Sequence, residues 1–490
     1  MRQSLVAVLA VVVVAGAAVA AVPLIERHVA QQIKTDMERD GTTKAGSVEV
    51  GLFDRKIVVK DMHVRQAGDV SICRWEASGL SWPLSELLEG RTPFSGLNLG
   101  DPFQAGHLEL HDLKVADNNA QWSIASVVVD DLRLERYQPV LGAGQFTALS
   151  VRVMKAASVG HLEQKQSVFT DPASGTTVAI ASMAIGGYDK GLVGSFDVNG
   201  LDTLAKGGSQ PAFHMDEMKL KGLDLRRPLM AIASPGWRPG SPIGRIDLES
   251  ANLSGFSGEA TTRNGISLGK VTQQTTHEAG DVKRSRVRIE GFVWSPPAGN
   301  LEALRARMVL QAMGLKELRL DSDCSGTEDR AKGELSIDRC ALTGPELGEL
   351  TLALKLVDAD APFWTAIDDG NTFAMLRSRI GLASAKVVLV DRGLVERTLK
   401  AVAITGGQPV ATVRTTMAQQ VRRYQPPGIL ITDDLTKLLD TVARFIEAGG
   451  TLTLDAKPDA PLGIDKLSYF SRPGPDLVTV LGLSATLSPR

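Results

Sequence analysis

The sequence lacks a charge surplus. Its 54 Lys and Arg against 56 Asp and Glu leave a net charge of −2. No basic block of five or more occurs, so nothing in the composition draws the chain to polyanions. Aromatic residues make up 5%, too few for the stacking platforms that hold single strands. These two absences exclude a nucleic-acid partner. Cysteine is scarce as well: Cys73, Cys324 and Cys340 are the whole set, and three cannot build a disulfide-framed fold. Cys324 and Cys340 are near enough in sequence to pair in an oxidising compartment. A simple hairpin between them is expected to set them at opposite ends, which leaves isolated buried thiols as the alternative.

Catalytic signatures are missing too. There is no GxSxG elbow, phosphate-binding glycine loop, HExxH or CxxC. Of the seven histidines, only His107 and His111 share a spacing suited to a metal. Leu108 and Leu110 alternate between them, so the segment reads as a strand. A strand sets the two rings about 13 Å apart, too far for one ion. Asp130-Asp131 and Asp368-Asp369 are expected at turns. Neighbouring strand residues face opposite sides, so neither pair is an acid–base dyad. The expectation is a protein that is not an enzyme and uses no metal or cofactor.

Long apolar runs are absent but for one. Leu5 to Leu24, LVAVLAVVVVAGAAVAAVPL, holds twenty residues without a charge. At about 1.5 Å per helical residue it spans about 30 Å, the hydrocarbon thickness of a bilayer. Leu5, Val12, Ala18 and Leu24 mark out this candidate anchor. Arg2 and Ala18-Val19-Ala20 also fit a cleaved signal peptide. The run is longer than a usual signal core, however, and Ile25, Val29, Ile33 and Met37 continue a helical stripe beyond it. An uncleaved anchor is the expectation. Arg27, Lys34, Arg39 and Lys44 follow the run, yet long domains are exported largely regardless of such charges.

What the chain does have is alternation. Charged residues at 22% and apolar ones at 43% fit a folded protein. After the 1–24 anchor, residues 25–46 read as a helical connector closed by Gly41. Residues 47–390 read as β-rich, with a period near 2 from Ser47 onward. A unit recurs there: Leu108–Val115 (LELHDLKV), Val127–Leu134 (VVVDDLRL), Met218–Leu225 (MKLKGLDL) and, loosely, Ile246–Leu253. The two apolar pairs in each copy are out of phase by one residue. A bulge or kink at the polar pair between them restores both to one face. Pro-, Gly- and Ser-rich stretches at Ala233–Pro242 and Ser295–Asn300 mark loops or module junctions. Short helices are expected at Trp82–Leu88 and over 300–312. Strands follow at Leu315–Leu320, Gly333–Cys340, Leu347–Val357 and Ala385–Val390, with turns at Ser325–Asp329 and Thr343–Pro345. Residues 391–490 then read as a helix-rich region with a returning strand. Its best helix is Asp433–Ala448, capped by Thr432 and stopped by Gly449-Gly450.

So many half-apolar strands with so little helix to cover them must fold on themselves as a sandwich or curl into a trough. Leu108, Leu110, Val127, Val129, Leu220 and Leu335 either fill an ordinary core or line an open groove for acyl chains.

The anchor, the LxLxxLxV strands such as Leu108–Val115, Gly314–Leu320 (GLKELRL) and the helix–strand block at 432–454 together resemble AsmA-like bacterial envelope proteins. They resemble equally their inner-membrane-anchored relatives of unknown function. The resemblance implies a mainly β fold with some α, in which a transmembrane helix precedes an elongated, curled antiparallel sheet. It implies a single-pass inner-membrane protein with its main domain in the periplasm, and it carries over no catalytic residue. Two functions are then expected. One is lipid handling or outer-membrane biogenesis, with phospholipid acyl chains in a β groove. The alternative is a closed β scaffold for other envelope proteins.

Overall fold

The computed structural model describes residues 22–39, 41–65, 69–80, 100–116, 121–138, 146–208, 210–234, 243–279, 281–299, 301–375, 377–425, 431–463 and 477–489. It is mainly β, with 50% strand and 26% helix, and the strands form an open antiparallel sheet. The chain divides into two compact units, Met1–Ala212 with Lys221–Pro239, and Phe213–Leu220 with Gly240–Arg490. The break after Pro239 lies within the Pro- and Gly-rich stretch 233–242.

In the first unit a helix over residues 22–38 (α1) leads into a meander. Its strands are β1 (Thr43–Lys44), β2 (Ser47–Gly51), β3 (Lys56–Arg65), β4 (Asp69–Ser78), β5 (Phe103–Ala116), β6 (Gln121–Leu134), β7 (Ala157–Thr170), β8 (Thr177–Asp189) and β9 (Leu192–Leu204). From β2 to β9 each strand pairs antiparallel with the next. The unit is therefore one continuous sheet and not a sandwich of two. Val29, Ala30 and Ile33 of α1 pack with Val50, Ile57, Val59, Ala77 and Ala105 in its main core cluster. Ile25 and Met37 join the rim of that cluster, so the whole helical stripe is spent on the sheet.

The strands do not alternate simply, and the reason is a set of left-handed residues inside them. Asp61, Asp112, Gln166 and Gly200 have φ between 49° and 61° on alternate strands β3, β5, β7 and β9. The register sets small residues between them, Cys73, Ala125 and Ala181. A second line pairs left-handed Gly79, Asp131 and Gly187 with Gly106, Gly160 and Gly194. The glycines are required by close approach: a Cβ on Gly160 would sit 3.1 Å from the Cβ of Asp131, and one on Gly79 would sit 3.1 Å from the Cα of Gly106. A left-handed residue turns the next peptide over, so facing slips by one position. Ile57, Val59 and Met62 accordingly meet the same core cluster, although an unbroken strand would send Met62 to the other side. Asp112, Asp131 and Gly222 (φ 61°) are the second members of the polar pairs in the recurring unit. Asp130-Asp131 thus lies inside β6 and not at a turn, because Asp tolerates the left-handed region that the kink needs.

The second unit carries most of β10 (Phe213–Asp224), then β11 (Ser250–Phe256), β12 (Ile266–Glu278), β13 (Val282–Trp294), β14 (Leu318–Asp329), β15 (Glu334–Gly344), β16 (Gly348–Val357), β17 (Gly381–Asp391), β18 (Thr451–Ala456), β19 (Leu462–Gly463) and β20 (Leu483–Ser488). From β11 to β18 they again pair antiparallel in sequence, with β20 beyond β18. Several sequence expectations move here. The loose copy at Ile246–Leu253 becomes strand only from Ser250. Leu315 follows the helix Leu301–Ala312 and closes its end, its N–H donating to the Leu310 carbonyl, and the strand starts at Leu318. Ser325–Asp329 continues β14 and is not a turn. The reversal comes at residues 330–333, where Asp329 accepts from the Lys332 N–H at 3.0 Å and Gly333 has φ 67°. That later turn lies midway between Cys324 and Cys340, so the hairpin sets them directly opposite each other, joined in a disulfide.

Helices cover parts of this unit. The one over Ala361–Asp368 (α2), capped by Asp360, brings Phe363 and Trp364 against Ile380, Leu335 and Leu356. Asp368 is buried at its end and takes both Arg330 guanidinium nitrogens at 2.6 and 3.0 Å. The sequence alone places Asp368 at a turn; instead it ends α2. Three further helices, Leu394–Gly406, Val410–Arg422 and Asp433–Ala448, share a cluster around Leu399, Ala403 and Val413. Thr432 caps the last, accepting from the Leu435 N–H at 3.3 Å.

Candidate functional site

The site begins with a register. Directly opposite residues of paired strands share a face, so partners can be followed across β5 to β9. Leu108, Val129, Leu162, Ile185 and Phe196 form one row, and Leu110, Val127, Gln164, Met183 and Val198 the next. Beyond the kink line come Leu113, Ile124, Ser167, Ile180 and Leu201, then Val115, Trp122, Phe169, Val178 and Thr203. The four rows contain no charged residue. Leu108 to Val115 covers about 23 Å at about 3.3 Å per residue.

This face is apolar but not closed. Leu108, Leu110, Val127 and Val129 are half-buried. Trp122 and Phe169, packed edge-on with ring centroids 6.2 Å apart, are 47% and 37% exposed at one end. Among the described residues, the cluster beneath α1 takes in β2 to β4 and the Phe103–Leu108 end of β5. The structure brings four of the six expected lining residues together. Leu220 lies in the other unit on β10, half-buried, and Leu335 packs in the Phe363–Trp364 cluster. Of the expected anchor residues, Leu5, Val12 and Ala18 lie outside the described residues; Leu24, in the first turn of α1, is 66% exposed. Among the described residues no helix is long and apolar enough to cross a membrane.

The opposite face is ionic. His107 Nδ1–H donates to Asp130 at 2.7 Å, and His111 Nε2 lies 2.8 Å from Glu109, which is also 3.9 Å from His107 Nε2. The two rings therefore converge on one carboxylate, whereas backbone spacing alone kept them apart. Among the described residues no group of three or more His, Cys, Asp or Glu is arranged to hold a metal ion. Nearby, burial would raise the Glu76 carboxyl, yet hydrogen bonds from Lys56 and Arg74 outweigh it and hold the group below its ordinary value. This face solvates the sheet and balances its own charge.

Gln164 and Ser167 went unnoticed in the sequence. Gln164-Lys165-Gln166-Ser167 reads as a polar interruption, and only the left-handed Gln166 puts residues 164 and 167 on the apolar side. The one available signal was two polar residues three apart, straddling a position that lines up with Asp112 two strands away.

A family model described as an uncharacterized protein matches residues 341–488. No curated protein matches the chain. The matched residues run from within β15 to the end of β20 and take in the three-helix cluster. They lie wholly in the second unit.

Proposed function

We propose that this chain is an inner-membrane-anchored envelope protein that holds acyl chains of lipids on the apolar face of β5 to β9. The observation that supports it is the four uncharged rows, most of whose side chains are left half-exposed although Ile124, Gln164, Ser167 and Val198 are buried. Each methylene removed from water there contributes about 0.8 kcal/mol, so one acyl chain is ample for binding. The Leu5–Leu24 run leads into the first turn of α1, which would hold the face close to the membrane that supplies its cargo. A closed scaffold would need a second layer over these rows, and Trp122 and Phe169 at their end stand well exposed.

The test is the lipid content of the full-length chain purified from membranes in mild detergent. Extraction and mass spectrometry should find diacyl lipid in near-stoichiometric amount. Val127→Asp, in the centre of the face, should lose it, and Glu163→Gln, on the ionic face, should keep it. A lipid-free wild-type chain, or lipid retained equally by Val127→Asp, would sink the proposal.

A further inference from the structure

Two side chains on the apolar face are out of character with it. Gln164 and Ser167 lie on β7, the middle strand of the five, and are only 8% and 4% exposed. Gln164 stands between Val127 and Met183, and Ser167 between Ile124 and Ile180. Among the described residues neither side chain has a hydrogen-bond partner. An aliphatic residue in either place would continue the rows, and the polar tips of both are not sealed from solvent: among the described residues the buried, unpaired side-chain polar atoms belong to Gln32 and Asn252. Both polar groups reach the same side of the sheet through the left-handed Gln166 between them. The backbone is thus bent in a way that presents them together.

Resting on the lipid-binding reading above, we infer that Gln164 and Ser167 form a polar anchor for the ester linkage of an acyl lipid. The carboxamide N–H of Gln164 and the hydroxyl of Ser167 donate to ester oxygens, and the chains lie along the apolar rows to either side. The absence of charge from these rows selects a neutral group. A phosphate brought here would lose its hydration with no cation to offset it, so a phospholipid seats its ester region on the anchor and its headgroup beyond the rows.

Full-length protein in detergent, incubated with an equimolar mixture of dioleoyl phosphatidylglycerol and its dialkyl ether counterpart, tests this by native mass spectrometry. The two lipids differ only in the ester carbonyls. Wild type should carry the ester form in excess by between about twofold and about tenfold, the weight of one hydrogen bond. Gln164→Leu and, as the smaller change, Ser167→Ala should bring the ratio toward one while total lipid stays bound. A wild-type ratio near one with lipid bound, or an excess that survives both substitutions, would overturn the anchor and leave lipid binding standing. Failure of both lipids to bind would overturn the lipid-binding reading itself.

Discussion

Asp112 shows how one residue sets the behaviour of a strand. It is exposed, sits at φ 51° in the middle of β5, and lies across from Cys73 and Ala125 on the strands to either side. Its job is conformational: it tolerates the left-handed region so that Leu108, Leu110, Leu113 and Val115 share a face. Asp112→Val should lower stability by about 1–2 kcal/mol, the usual cost of a left-handed non-glycine residue, whereas Asp112→Gly should be neutral or stabilising. Urea unfolding followed by circular dichroism checks both. Equal losses for the two would show that the carboxylate, and not the backbone, matters. The recurring polar pair made this kink legible in the sequence. At Gln166 it was not, because Gln has no special tolerance for that region and nothing local marks it.

Between elements, cross-strand ion pairs hold the second meander on its polar side. Arg286 donates to both Asp323 oxygens across β13 and β14, and Arg339 reaches Glu349 at 2.6 Å across β15 and β16. Hydrogen bonds from Arg286 and from Arg339, respectively, hold these two carboxyls below their ordinary values. A lowered folded value means stabilisation that is present above the unfolded value and lost as pH falls through the folded one. Stability should therefore be level from about pH 7 to about pH 5 and decline below about pH 4. Asp323→Asn should flatten part of that decline in thermal unfolding measured across the range, and an unchanged slope would contradict the pairing. Helix boundaries at this scale were largely legible. Asp433–Ala448 carries its cap, its acidic first turn and its glycine stop in the sequence itself. The β14–β15 turn was not, because Ser325–Asp329 has turn chemistry while the hydrogen bonds of Asp329 and the backbone of Gly333 place the reversal later.

At the scale of the whole molecule, the proposal turns on where the domain is held. Cys73 is exposed and free, and Cys324 and Cys340 are joined to each other, so one thiol reports on location. With the outer barrier opened but the inner membrane intact, a membrane-impermeant maleimide should label Cys73. Labelling that appears only after lysis would overturn the proposed orientation. The stripe Ile25, Val29, Ile33 and Met37 no longer bears on the anchor, since α1 buries it against the sheet.

A mainly β chain of one-sided strands with a few well-capped helices follows from the order of residues alone. Period-2 alternation, turn residues and caps are local properties, readable wherever they stand. The same order also placed the kinks at the polar pairs of the recurring unit, where Asp112, Asp131 and Gly222 stand. Which apolar residues share a face is set in the folded chain, because facing depends on every left-handed residue along a strand and on the register with its neighbours. That is why Leu108, Leu110, Val127 and Val129 come together while Leu335 packs under α2, and why Gln164 and Ser167, unremarkable in the sequence, turn out to lie on the apolar face.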